Sequence, residues 1–196
     1  NIACVSNYST MIYPSSSFNT EKSLKAIEHY KATSLLGVPT MFIEILNKYK
    51  SEGRKVNSLK KGIMAGSVCP EYLMNRVANE LHIKDLSICY GMTELSPITH
   101  QTLPSDSLLH KTTTVGRNIP YTITKIVDDE GNIVPRGKEG EVCSNSFGKM
   151  IGYYKDEEAT KNTFDSYGFM KTGDYGIIDN DGYLTIIGRK KDTIIR

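Results

Sequence analysis

No run of apolar residues in this chain approaches the roughly 18 needed to cross a bilayer, so no segment reads as a transmembrane helix. Cysteine is sparse. Cys4, Cys69, Cys89 and Cys143 include no Cys-x-x-Cys pair and have no histidine or cysteine at metal-ligand spacing, which argues against a zinc site and a disulfide scaffold and fits a reducing compartment. The formal net charge is only +2, and the lysines are dispersed and form no stripe, so a nucleic-acid partner is not implied. Histidine is equally scarce. His29, His82, His100 and His110 stand alone, and each reads as a surface or core residue with no acid–base role. The segment Ala65-Gly66-Ser67-Val68-Cys69 lacks both flanking glycines of a nucleophile elbow. The first residues, Asn1-Ile2-Ala3-Cys4-Val5, show neither the basic start of a signal peptide nor the arginine-rich look of a transit peptide, and no internal repeat or low-complexity segment occurs.

What is present is an ordinary globular composition spread over 196 residues, long enough for one or two domains with a buried core. In chain order, residues 10–14 read as a strand. Asn19 can cap a helix over 20–30, with Leu24, Ile27 and Tyr30 or Ala26 at helical spacing. An apolar run at 34–38 precedes a helix from Pro39 to about Tyr49, whose inward face carries Met41, Phe42, Ile45, Leu46 and Tyr49. A run at 61–65 ends at Gly66-Ser67, Pro70 opens a helix to about His82, and 86–89 is the next strand. Short apolar strands alternating with helices predict an α/β fold, part of a mostly parallel sheet flanked by helices. From about Thr112 the texture changes to antiparallel hairpins: 121–127, a turn at 128–132, strands at 133–134 and 141–144, a short helix at 156–162, and 176–179 pairing with 183–187. These predict a small antiparallel β-barrel-like subdomain. The expected division is an α/β subdomain over 1–110, the β subdomain over 111–188, and a hinge over 189–196.

The central stretch is Ile88-Cys89-Tyr90-Gly91-Met92-Thr93-Glu94, an apolar strand running into a polar turn. Its chemistry suits a magnesium nucleotide. Tyr90 offers a face for a purine, Gly91 permits close backbone approach, Thr93 can donate to a phosphate oxygen, and Glu94 is a hard ligand for magnesium. The same residues also read as a strand-to-loop exit with a buried tyrosine. Gly66-Ser67 likewise follows a strand, where parallel sheets bind ligands, although alone it reads as a turn before a helix.

A second stretch narrows the choice: Lys171-Thr172-Gly173-Asp174-Tyr175-Gly176, then Asp179-Asn180-Asp181-Gly182-Tyr183-Leu184, then Ile187-Gly188-Arg189-Lys190-Lys191-Asp192. With the Tyr90 motif, Gly66-Ser67, Gly140-Glu141-Val142 and Gly152-Tyr153-Tyr154 followed by Thr160, the whole chain resembles the adenylate-forming superfamily. Val38-Pro39-Thr40-Met41-Phe42 and Cys69-Pro70 look most like its mitochondrial medium-chain fatty acyl-CoA ligases.

The resemblance implies an AMP-forming ligase of lipid metabolism that uses ATP, Mg2+ and coenzyme A to activate a fatty acid, in the mitochondrial matrix. By the same resemblance Gly66 and Ser67 line the adenine edge, Tyr90 stacks on the base, and Gly91 and Met92 floor the acyl carbonyl. Thr93 meets the α-phosphate, Glu94 holds magnesium, Asp174 accepts the ribose hydroxyls, Arg189 reaches that ribose, Ile186 packs on the nucleotide, and Lys191 is the hinge. The alternatives are that Asp174 only shapes a Gly-Asp turn, that Arg189 only pairs with Asp192, and that Lys191 is a plain surface lysine. The family's phosphate loop and lid lysine are expected outside this chain, which alone should then bind AMP without adenylating an acid. Phe169 and Lys171 stand where tryptophan and arginine are frequent. An aryl-CoA ligase, an amino-acid-adenylating domain and a non-catalytic nucleotide-binding remnant are the alternatives.

Overall fold

The computed structural model describes residues 2–190 except 55 and 68. It divides into two compact units, Asn1–Leu86 and Ser87–Arg196. Lys191 lies outside the described residues.

The first unit opens with helix α1 (Ile2–Ser6). The strand expected over 10–14 does not form. Tyr8 takes φ 53° and its N–H closes a turn on the Val5 carbonyl at 3.1 Å. Met11 and Tyr13 then face solvent, and no strand pairs with this segment among the described residues, so it has no ladder to join. Helix α2 (Thr20–Tyr30) starts where the Asn19 side chain accepts the Lys22 N–H, and it buries Leu24 and Ile27. Of the two alternatives for this face, Ala26 is half-buried, whereas Tyr30 is 61% exposed in the last turn, edge-on to His29. Strand β1 (Ser34–Gly37), helix α3 (Pro39–Ser51) and strand β2 (Lys61–Ala65) form a parallel β-α-β unit with Leu35 opposite Gly62. Pro39 sits in the first turn of α3, where its missing N–H costs nothing. Helix α4 (Glu71–Glu80) adds Leu73 and Val77 to a core holding Phe42, Ile45 and Leu46. Strand β3 (Asp85–Tyr90) enters beside β2, with the Asp85 N–H on the Lys60 carbonyl.

In the second unit β3 ends at Tyr90 and the chain returns as strand β4 (His100–Gln101), antiparallel, with Tyr90 opposite His100. Helix α5 (Leu108–Thr113), capped by Ser107, precedes strand β5 (Arg117–Asn118), which pairs with β4. The polar stretch around His110 therefore carries a helix within this unit, and the division between compact units comes earlier in the chain, after Leu86. Strands β6 (Thr122–Val127), β7 (Gly140–Ser146), β8 (Met170–Ile178) and β9 (Leu184–Arg189) make an antiparallel meander in chain order. Helix α6 (Glu157–Thr163) lies between β7 and β8 in sequence. Strand β8 begins at Met170, earlier than expected, which puts Asp174 inside a strand and removes the reading of it as a turn residue. Ile126, Val142 and Leu184 form the core of this sheet, and Tyr90, Val115, Val134, Ile178 and Ile186 pack against it.

His100 is fully buried, and its Nε2 has no hydrogen-bond partner among the described residues. The Thr99 hydroxyl donates to the Tyr90 carbonyl, so its oxygen is left to accept from His100 Nδ1 at 3.0 Å, which places the proton on Nδ1. Burial lowers the imidazole pKa to about 4. The unfolded chain takes up this proton near an ordinary pKa of about 6.5. The contribution to stability is therefore complete above that value and lost as pH falls from there towards 4, by at most about 1.4 kcal/mol per pH unit. Chemical denaturation at pH 7 and pH 5 should show wild type losing roughly 2 kcal/mol more than His100→Gln. Equal losses in the two proteins would mean that the folded state carries a protonated His100.

Candidate functional site

The second unit gathers its unusual chemistry around strand β8. The β7 register jumps from Glu141 opposite Tyr175 to Cys143 opposite Lys171, so residues 172–174 bulge against Val142 alone. A further slip on the β9 side follows Tyr175. Bulges leave N–H groups outside the ladder and re-aim side chains. Here side chains take up those groups: the Thr172 hydroxyl donates to the Val142 carbonyl at 2.8 Å and accepts the Asp174 N–H at 3.1 Å, while Glu141 Oε1 accepts the Gly173 N–H at 3.3 Å. Gly173, at φ 72°, supplies the left-handed residue that the bulge requires.

The result is a buried carboxylate, Asp174, 7% exposed. Its Oδ2 accepts the Tyr90 hydroxyl at 2.6 Å and its Oδ1 meets Arg189 Nε at 3.0 Å. Arg189 is 63% exposed, so its pair is screened and worth about 1 kcal/mol or less. A short, enclosed bond from phenol to carboxylate is worth more, about 1.5–3 kcal/mol. Tyr90 is held as a donor: burial first, and the Asp174 carboxylate second, push its pKa well above the usual phenol value. Each oxygen of Asp174 spends one lone pair on these partners and keeps another. A vicinal diol matches what remains.

Tyr90 ends β3 and begins the loop to β4. Gly91 is dictated by that loop's own path, since a Cβ there would collide with the Pro97 carbonyl. Met92 leads into a single 3-10 turn, Thr93–Leu95, on which Thr93 is exposed and Leu95 buried. Glu94 is anchored twice: its carbonyl accepts the Met150 N–H at 2.8 Å, and its Oε1 accepts the Tyr153 hydroxyl at 3.0 Å. Its Oε2 makes no hydrogen bond among the described residues. No group of three or more His, Cys, Asp or Glu suited to a metal occurs among those residues. A single carboxylate oxygen of this kind suits only a hard cation that takes most of its ligands from water or phosphate oxygen.

Of the residues singled out in the sequence, Tyr90, Asp174 and Arg189 are in mutual contact through the carboxylate. Ile186 shares with Tyr90 the packing against the Ile126–Val142–Leu184 core. Thr93 and Glu94 stand together on the loop that follows. Gly66, at φ 92°, and Ser67 belong to the first unit, at the carboxyl end of β2. Sequence reasoning gave no role to Thr172, Glu141 or Tyr153, although each lies within a quoted motif. The signal for Tyr153 was the spacing of Gly152 and Thr160: the Thr160 hydroxyl accepts the Tyr153 N–H at 2.9 Å, and a Cβ at Gly152 would lie 2.7 Å from Thr160 Cγ2.

The family model for AMP-binding enzymes matches residues 2–154. The chain is 40% identical over 199 residues to the acyl-CoA ligase sidI of Aspergillus fumigatus, covering 100% of this chain and 34% of that protein. It is 40% identical over 188 residues to the mitochondrial medium-chain acyl-CoA ligase ACSF2 of Danio rerio, covering 95% of this chain and 31% of that protein. The chain thus spans about a third of the length of the curated relatives it matches. The solved O-succinylbenzoate coenzyme A synthetase MenE of Bacillus subtilis, in complex with ATP and magnesium ion, superposes with a TM-score of 0.78. That match has 27% identity and covers 91% of this chain and 36% of the other. With the family model spanning most of its residues and its fold shared with an ATP-bound synthetase, the chain belongs to the family of AMP-binding enzymes.

Proposed function

We propose that this chain is the nucleotide-binding part of an ATP-dependent acyl-CoA ligase, with a medium-chain fatty acid as the acid activated. The observation that carries the reading is Asp174: a buried carboxylate fixed by Tyr90 and Arg189, with one acceptor site left on each oxygen for the 2′- and 3′-hydroxyls of a ribose. Tyr90 then presents its ring to the adenine, and Ile186 packs beside it. Arg189 donates to the same ribose from the strand end. Gly91 and Met92 offer backbone at the acyl carbonyl, and Thr93 donates to the α-phosphate. Medium-chain preference and a mitochondrial location are supported by likeness to ACSF2. No described helix is long and apolar enough to cross a membrane.

In the proposed chemistry a carboxylate oxygen of the acid attacks the α-phosphorus of ATP, the bond to the bridging oxygen breaks, and pyrophosphate leaves. The sulfur of coenzyme A then attacks the acyl carbon, the carbon–oxygen bond breaks, AMP departs, and the thiol proton passes to solvent. The residues of this chain orient and neutralise; none forms a covalent intermediate. Glu94 would hold Mg2+ through Oε2, with Tyr153 fixing the carboxylate from Oε1. The bound ion supplies charge neutralisation for the phosphate oxygens.

Two measurements test this reading. Asp174→Asn should weaken AMP binding roughly 10- to 100-fold by calorimetry while leaving 2′,3′-dideoxy-AMP nearly unaffected. Equal weakening of both ligands would remove Asp174 from the ribose. Glu94→Gln should abolish the gain in ATP affinity that Mg2+ gives over EDTA, yet leave metal-free AMP binding unchanged. A preserved magnesium increment would show that Glu94 is not its ligand.

A further inference from the structure

The backbone that carries Asp174 is held at its bulge by a carboxylate that also holds something else. Glu141, at the start of β7, accepts the Gly173 N–H with Oε1, and its Oε2 lies 3.2 Å from Lys190 Nζ, immediately after the end of β9. The Glu141 side chain is only 11% exposed. A carboxylate so enclosed needs both oxygens matched, because its charge is poorly solvated. Lys190 also reaches Asp129 Oδ1 at 3.1 Å, and that oxygen accepts the Tyr175 hydroxyl at 2.9 Å. Asp129 is 74% exposed, however, so that contact is screened by water and weak. Of these two described acids around Lys190, the enclosed one is attached to the bulge.

We propose that Glu141 is a positioning residue for the nucleotide site. With one oxygen it fixes Gly173, and with the other it binds Lys190, so the seating of the β9 end sets the register of Asp174. The proposal rests on Asp174 being the acceptor of the ribose diol. Its physical content is a coupling: when Lys190 withdraws, the Glu141 charge loses its match, turns towards water and releases the Gly173 N–H. The bulge then loses one of the three side-chain bonds that replace its ladder, and Asp174 is aimed less tightly. Lys190 directly precedes Lys191, the hinge residue expected from the sequence, so the strand end leading into that hinge is tied to the group that grips the sugar.

The test uses the whole chain and two probes, AMP and 2′,3′-dideoxy-AMP, whose affinity ratio isolates what the diol contributes. Wild type should favour AMP by roughly 10-fold or more. Lys190→Met and Glu141→Gln should each cut that ratio roughly threefold to tenfold while dideoxy-AMP affinity holds within about twofold, and the double variant should lose no more than the worse single one, since both act through one contact. Asp129→Asn should leave the ratio unchanged. If Glu141→Gln does not fold, Lys190→Met, on a side chain 41% exposed, carries the same comparison. An unchanged ratio in Lys190→Met, equal loss of both ligands, or additive losses in the double variant would overturn the coupling. A wild type indifferent to the diol would instead overturn the reading of Asp174 on which it rests.

Discussion

A carboxylate at 7% exposure must have partners, and that requirement organises the second unit. Asp174 sits in mid-strand, where side chains alternate between faces and its N–H would ordinarily join a ladder. Both conditions are altered by the bulge opposite Val142, which is stitched by Thr172 and Glu141. The phenol that satisfies Oδ2 comes from 84 positions earlier, at the end of β3. That phenol is in turn fixed by the β4 return, which sets His100 opposite it and ties the Thr99 N–H to its carbonyl at 2.9 Å. One buried charge thus fixes how the end of β3 and the last hairpin meet.

The parts of this arrangement that depend on near neighbours in sequence were legible. Helix α2 begins at its asparagine cap and β2 occupies 61–65, because caps, turns and apolar periods are encoded within a few residues. The bulges, the short strands β4 and β5, and helix α5 were not legible, since each depends on pairing or packing with a segment far along the chain. His110 illustrates this: it lies in a stretch of polar composition, yet its ring stacks 3.9 Å from Tyr183, whose hydroxyl donates to Asp106. The segment 10–14 fails in the opposite sense, since its composition suits a strand but no strand among the described residues is beside it to complete the ladder.

Glycines in the motifs show how a functional pattern can have a structural cause. Gly91 lies in the central motif, where a glycine invites the idea of a ligand pressed against backbone. What presses there is the Pro97 carbonyl of the same loop. Gly152 is confined by Thr160 in a similar way. These residues act on the site indirectly, by letting loops fold tightly enough to deliver Tyr90 and Tyr153 to their carboxylates.

Those two tyrosines divide the work between two acids in different ways. Tyr90 donates its hydroxyl hydrogen bond to an acid that is almost enclosed, so the acid's remaining acceptor sites can serve only groups that enter with matching donors. Tyr153 is 40% exposed, and it binds one oxygen of a half-buried Glu94, leaving the other turned to no protein donor among the described residues. A cation drawn to that second oxygen would find one protein charge and complete its shell from water and phosphate. Under the proposed reading the nucleotide brings most of the site with it, and the described residues hold no group of three or more metal-ligating side chains.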